Sequence, residues 1–254
     1  MVLLLATLAL AAPPLAVRFA ACRERFEAHD DSGESMRDSA ACFRKLLDAN
    51  PRHAASIAYL GLIAAEEQRY CEAESHYRRA LDVDAKCAEA RVGLANLRIL
   101  EGRKDEARAL LREAVARGPK NRLALHTLAG VLTGENFRPT DETWKEAMRC
   151  WRALISIDRD DRDAHHMLAQ AYRRFGQWAA AERHFREVLR IGRTDDDVDV
   201  WVYSVNIGVA EMCEKQGKWK EAARHWQAVI DFGRAGEEEI ARARAALARL
   251  SERR

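Results

Sequence analysis

Three aspartates, Asp195, Asp197 and Asp199, alternate in the way that opens a calcium-binding loop. Such a loop also needs a glycine at its sixth position for the sharp turn and a bidentate glutamate at its twelfth. Val200 and Asn206 stand at those places, so the first ligands are present without the rest of the cage. Helix-start chemistry accounts for the same residues: Thr194 or Asp195 caps, and the acids complement the positive end of the helix dipole. His165-His166 offers imidazole ligands, but consecutive helix residues do not face each other, and no HExxH or comparable cluster completes a set. The six cysteines, at 22, 42, 71, 87, 150 and 213, contain no CxxC pair. A disulfide framework is not expected from them, while one or two isolated bridges stay open. GxxxxGKS/T, GxGxxG and GxSxG are all missing, and the acidic pairs Glu66-Glu67 and Glu221 with Asp231 follow a surface pattern. These residues point to no catalytic centre, no metal site and no cofactor.

What must position them is a repeated helical element. The stretch from Gly176-Gln177-Trp178 to His184-Phe185 is nearly repeated from Gly217-Lys218-Trp219 to His225-Trp226. Looser copies run from Gly102 through Ala107 to Leu111, and from Gln68 through Tyr70 and Ala73 to Tyr77. Gln68 and Gly102 are 34 residues apart, Gly102 and Gly176 are 74 apart, and Gly176 and Gly217 are 41 apart. The longer gaps are two such periods plus six residues and one period plus seven. Self-similarity at this period means stacked units. Within a unit, apolar residues recur at helical spacing, as in Ala107, Leu110, Leu111 and Ala114. The glycines at 102, 176 and 217 fall where the chain must turn between helices.

The unit resembles the tetratricopeptide repeat, a helix-turn-helix. Its Leu-Gly/Ala pair is matched by Leu60-Gly61, Leu94-Ala95, Leu128-Ala129, Leu168-Ala169 and Val209-Ala210. Its small second-helix residue is matched by Ala73, Ala107, Ala147, Ala181 and Ala222, and the large residue four places on by Tyr77, Leu111, Trp151, Phe185 and Trp226. A closing proline stands only at Pro119, and at Pro51 for a degenerate preceding unit. The resemblance implies an all-α, right-handed α-solenoid of stacked antiparallel helix pairs. Five units read as 54–87, 88–121, 122–161, 162–195 and 203–236. No single pair can bury its apolar face, so stability comes from stacking and the ends need caps. Residues 237–254 supply one, with Ile240, Ala243, Leu247 and Leu250 in a stripe and Glu237, Glu238 and Glu239 at the helix start. Residues 15–53 read as the degenerate amino-terminal unit, with helices over Leu15–His29 and Ser39–Ala49 and a turn at Asp30–Ser35. The six residues added in the third unit are expected in its inter-helix turn, and the seven before the fifth in a longer first helix.

Residues 1–14 are an apolar leader or signal peptide. Leu3 to Ala12 has the length of a signal h-region and Ala9-Leu10-Ala11 is similar to its cleavage site, although no Lys or Arg precedes it. Pro13-Pro14 and Arg18 interrupt the run before it reaches the length of a membrane span. Phe19-Ala20-Ala21-Cys22 faintly matches a lipoprotein cleavage box. The expectation is an exported protein, periplasmic or envelope-associated, with a cytoplasmic protein as the alternative. The formal net charge of +2, with both signs interspersed on helix faces, gives no reason to expect nucleic acid as a partner.

In the family the first helices line a concave groove. Carried over, the groove positions are Ala55, Ala58, Leu62 and Ala65; Glu89, Val92, Asn96 and Ile99; Leu123, His126, Gly130 and Thr133; Asp163, His166, Gln170 and Arg173; and Ser204, Ile207, Glu211 and Glu214. Ala58 and Leu62 replace the Lys and Asn of the chaperone-binding subset's carboxylate clamp. The polar positions Asn96, His126, His166, Gln170 and Arg173 are the expected partner contacts, with Phe137 and Trp201 as edge contacts. The resemblance implies a non-catalytic scaffold or adaptor that docks a protein, peptide or helix, with bacterial envelope assembly as a setting. The alternatives are a regulatory or specificity subunit of an enzyme complex and, more remotely, an RNA-binding helical repeat.

Overall fold

The computed structural model describes residues 13–28, 33–134, 140–192, 199–233 and 235–252. Among them are thirteen helices and no strand. They fall into two compact units divided between Gly118 and Pro119. The first holds α1 (Leu15–Glu27), α2 (Gly33–Ala49), α3 (Ala54–Glu66), α4 (Tyr70–Val83), α5 (Ala88–Leu100) and α6 (Lys104–Arg117). The second holds α7 (Arg122–Thr133), α8 (Asp141–Ile157), α9 (Arg162–Arg174), α10 (Trp178–Ile191), α11 (Asp199–Lys215), α12 (Trp219–Asp231) and α13 (Glu237–Ser251). Within each unit consecutive helices pack as pairs and the pairs stack, which is the all-α solenoid architecture expected.

The close approach of paired helices depends on small residues. Ala73, Ala107, Ala147, Ala181 and Ala222 are all completely buried, and Tyr77, Leu111, Trp151, Phe185 and Trp226 are buried one turn on. The large side chains fill notches left by glycine. A Cβ on Gly61 would lie 2.7 Å from the Tyr77 ring and one on Gly208 2.9 Å from the Phe185 ring. A Cβ on Gly93 would overlap the Tyr77 ring outright.

The inter-helix turns share one backbone solution. Gly102, Gly176 and Gly217 have φ of 75°, 68° and 73°, and Gln68 takes the same place with φ 60°. A residue with a Cβ is disfavoured there by about 1–2 kcal/mol, while glycine costs more unfolded-state entropy. Gln68→Gly is therefore expected to stabilise the chain by about 0.5–1 kcal/mol, seen as a higher urea midpoint; an unchanged or lower midpoint would remove this account of the turn.

Two expectations are corrected. The second helix of the degenerate unit starts at Gly33 rather than Ser39, because Met36 and Ala40 join Phe43 and Leu46 on its buried face. The six-residue insertion is not all turn: α8 begins six residues before Ala147, where α4, α6, α10 and α12 begin three before their alanines. Thr140 and Thr143 form a capping box that fixes this earlier start, the Thr143 N–H donating to Thr140 Oγ1 and the Thr140 N–H to Thr143 Oγ1. Cys22 is buried and disulfide-bonded to Cys42, an isolated bridge of the kind the sequence left open. The bridge ties α1 to α2 over an aromatic cluster in which Phe19 and Phe26 meet Tyr59 edge-on and Phe43 stacks on it. Helix α11, at 17 residues, is long as expected. Asp195 and Asp197 lie outside the described residues.

Candidate partner-binding surface

The groove positions divide between the two units. In the first, Ala58 and Val92 are buried, so they serve packing; Asn96 is exposed on α5. Two arginines on the same helix, Arg91 and Arg98, are buried. The Arg98 guanidinium reaches Glu101 at 2.8 Å and also pairs with Glu74 of α4, tying the two helix pairs together.

In the second unit, Asp161 organises the entry to α9. It is 6% exposed and accepts the Ala164 N–H at 3.0 Å as N-cap. Its other carboxylate oxygen lies 3.2 Å from Arg122 Nη2 and 3.3 Å from His126 Nε2. His126 of α7 is thus held by the carboxylate that caps the start of α9. Along α9, His166, Gln170 and Arg173 follow at i, i+4 and i+7, on one face. Gln170 Nε2 and His166 Nε2 are 3.4 Å apart, and the His166 ring meets Phe185 edge-on. Burial lowers the His166 pKa from its ordinary value. Arg173 is exposed and pairs with Glu211 at 3.3 Å.

Arg173 borders a cavity of about 490 Å³. Trp178 and Trp226 form part of its wall, and α13 closes it with Arg242 and Arg249. Arg242 pairs with Glu211 and lies over the Trp226 ring, 5.8 Å from its centroid. Arg249 reaches Glu214 at 2.9 Å, and Trp226 Nε1 donates to the same carboxylate at 2.6 Å. The cap helix was expected only to cover an apolar end, yet it also lines the groove. Arg242 and Arg249 are seven residues apart, two turns on one face, and that spacing was the available signal. Phe137 lies outside the described residues, as does the side chain of Trp201.

Glu182, Cys213 and Glu221 gather their ligand atoms within 4.8 Å. Glu182 is 2% exposed and meets Lys218 Nζ at 2.8 Å, Gln216 Nε2 at 2.6 Å and Arg186 Nη1 at 2.6 Å. Burial alone would raise its pKa; the hydrogen bonds from Lys218 and Gln216, with the Arg186 charge, hold it below its ordinary value. Burial, then the Glu182 charge, pushes the Cys213 thiol up to about 11. Protein cations already neutralise the carboxylates and the thiol keeps its proton, so the group reads as an ion-pair cluster that joins α10 to the turn after α11.

His165 is buried. Its Nε2 lies 3.2 Å from the Arg159 carbonyl and its Nδ1 lies 3.0 Å from His184 Nδ1. The carbonyl only accepts, so His165 Nε2 carries a proton, and one of the two facing Nδ1 atoms donates to the other. Burial, then the His165 charge, lowers the His184 pKa to about 4. Arg183 and Arg152 act the same way and Glu187 opposes them. His53, His76 and His225 are also lowered, chiefly by burial. Groups lowered on folding contribute stability that is complete above about pH 6.5 and lost as pH falls toward 4. The melting temperature is expected to drop by about 2–4 °C or more between pH 7.5 and pH 5, and by less in His184→Phe. A flat profile would contradict the lowered pKa of His184.

Family models described as tetratricopeptide repeat match residues 24–82, 64–132 and 164–199. The chain is a tetratricopeptide-repeat protein. As such it has solved structural relatives at low identity. One is pilF of Pseudomonas aeruginosa, with a TM-score of 0.63 at 14% identity over 91% of this chain and 96% of that one. A second is YrrB, described as having an unusual peptide-binding site, with a TM-score of 0.60 at 17% identity over 81% of this chain and 99% of that one. A third is PilW, described as a type IV pilus biogenesis factor, with a TM-score of 0.57 at 15% identity over 89% and 97%. No curated protein sequence matches this tetratricopeptide-repeat chain. No helix among the described residues is long and apolar enough to cross a membrane.

Proposed function

We propose that the chain is a non-catalytic scaffold that holds a protein partner, a peptide or a helix, against the first-helix face of its second unit. The observation that carries this is the row His166, Gln170 and Arg173 on one face of α9, leading into the cavity closed by α13. Helices already fixed by stacking present that face with little ordering cost, which favours docking of a flexible segment. Asn96 is a separate exposed contact in the first unit, and His126 positions the α9 start beside the site. Phe137 and Trp201 remain proposed edge contacts.

An envelope role follows from different support. The Cys22–Cys42 bridge belongs to oxidising compartments, and the apolar leader precedes it. PilW's description as a pilus biogenesis factor gives an envelope-assembly setting among proteins of this fold.

Gln170→Ala with Arg173→Ala should leave stability within about 1 kcal/mol, since the Arg173 ion pair is exposed. Crosslinked partner recovered from native envelope fractions should fall sharply. Undiminished recovery would move the site off this face. Protein from those fractions should begin near Ala12 with the bridge formed; a full-length, reduced chain in the cytoplasm would sink the export reading.

A further inference from the structure

A second cavity, of about 460 Å³, shares no residue with the one closed by α13. Its apolar wall comes from Val188 and Leu189 of α10, Val202 and Val205 of α11, and Ala228 of α12. That volume is in the range of small-molecule sites. The polar groups deep in it are already satisfied. Asn206, 6% exposed, donates to the Val202 carbonyl at 2.7 Å and accepts from His225 Nδ1 at 2.8 Å. Its mouth is cationic. Arg224 is exposed and makes no ion pair among the described residues, while Arg162, which has a partner of its own, also lines the cavity. No Asp or Glu lines the cavity among the described residues.

These features select an occupant. The wall side chains all stand on helices whose backbone groups bond internally, so an extended peptide would find no main-chain pairing there. An apolar interior with satisfied polar groups favours a hydrocarbon, and cations at the mouth favour a negative head. We infer that this pocket between α10, α11 and α12 binds a single-chain anionic amphiphile, a fatty carboxylate with its chain inside and its head at Arg224. Docking there is independent of the partner face on α9.

The test is calorimetric titration of the full chain with octanoate, decanoate and dodecanoate below their micelle concentrations. One-to-one binding should tighten about three- to fourfold per added methylene until the pocket is full. Dodecyltrimethylammonium, with the same chain and the opposite charge, should bind at least about tenfold more weakly. Ala228→Phe should abolish binding by filling the pocket. Arg224→Glu, at an exposed position that leaves the fold intact, should weaken it about tenfold or more. The pair Gln170→Ala and Arg173→Ala should leave it unchanged. The proposal is overturned by absence of saturable binding, by equal binding of the cationic amphiphile, or by indifference to Arg224→Glu. Binding that emerges only when Asp195, Asp196 and Asp197 are replaced by serine would also overturn it, because the chain's own carboxylates would then be the occupant.

Discussion

Gly93→Ala is expected to destabilise the first unit by about 3 kcal/mol, although alanine is the better helix former by about 1 kcal/mol. The added methyl would occupy space held by the Tyr77 ring. That ring is 1% exposed and also abuts Gly61, so it cannot swing away without moving a helix. The signature is conditional. In a Tyr77→Leu background the notch is part empty, and the same substitution should cost little or become favourable. Urea midpoints of the four proteins give the coupling energy. An equal cost in both backgrounds would mean that Gly93 is needed for some reason other than the ring.

Ala181→Trp carries a comparable penalty, about 3 kcal/mol or more, by overpacking the contact between α9 and α10. Ala181 is completely buried, whereas Ala179, two residues earlier on the same helix, is exposed. Ala179→Trp therefore serves as the control: the same substitution in the same helix should fall within about 0.5 kcal/mol of wild type. Similar melts for the two variants would show that the register of small residues has been misassigned.

That register was legible in the sequence because it rests on size alone. Alanine every 34 residues or so, followed four places on by a large apolar side chain, already contains the packing rule. Helix starts were less legible. Gly33 carries no start signal and α2 is extended by tertiary burial, whereas α8 starts at a threonine cap followed by Asp141 and Glu142, a signal the insertion obscured. The Cys22–Cys42 bridge follows no spacing motif; it forms because α1 and α2 are antiparallel partners. At the candidate surface, His166, Gln170 and Arg173 share one face of α9, as their i, i+4 and i+7 spacing requires. Their companions Arg242 and Arg249 were missed because a terminal helix was read for its apolar stripe only. Asp161 and Glu182 were missed because a buried carboxylate is recognisable only once the cations that come to it from elsewhere in the chain are known.

Glu182 has a consequence for the order in which helix pairs stack. The pairs are so alike in their apolar residues that shape alone discriminates poorly between a correct neighbour and a wrong one. Glu182 meets Gln216 and Lys218, the residues on either side of Gly217 in the turn after α11. The residue before the equivalent turn is Glu101 after α5 and Glu67 after α3. If the α10 face were stacked on either of those pairs, a buried carboxylate would meet another acid where it now meets an amide. Tyr77 adds a steric version of the same discrimination, since it needs a glycine opposite. A few unlike residues thus act as addresses within a repetitive body, setting which pair follows which and penalising exchange between copies of the chain.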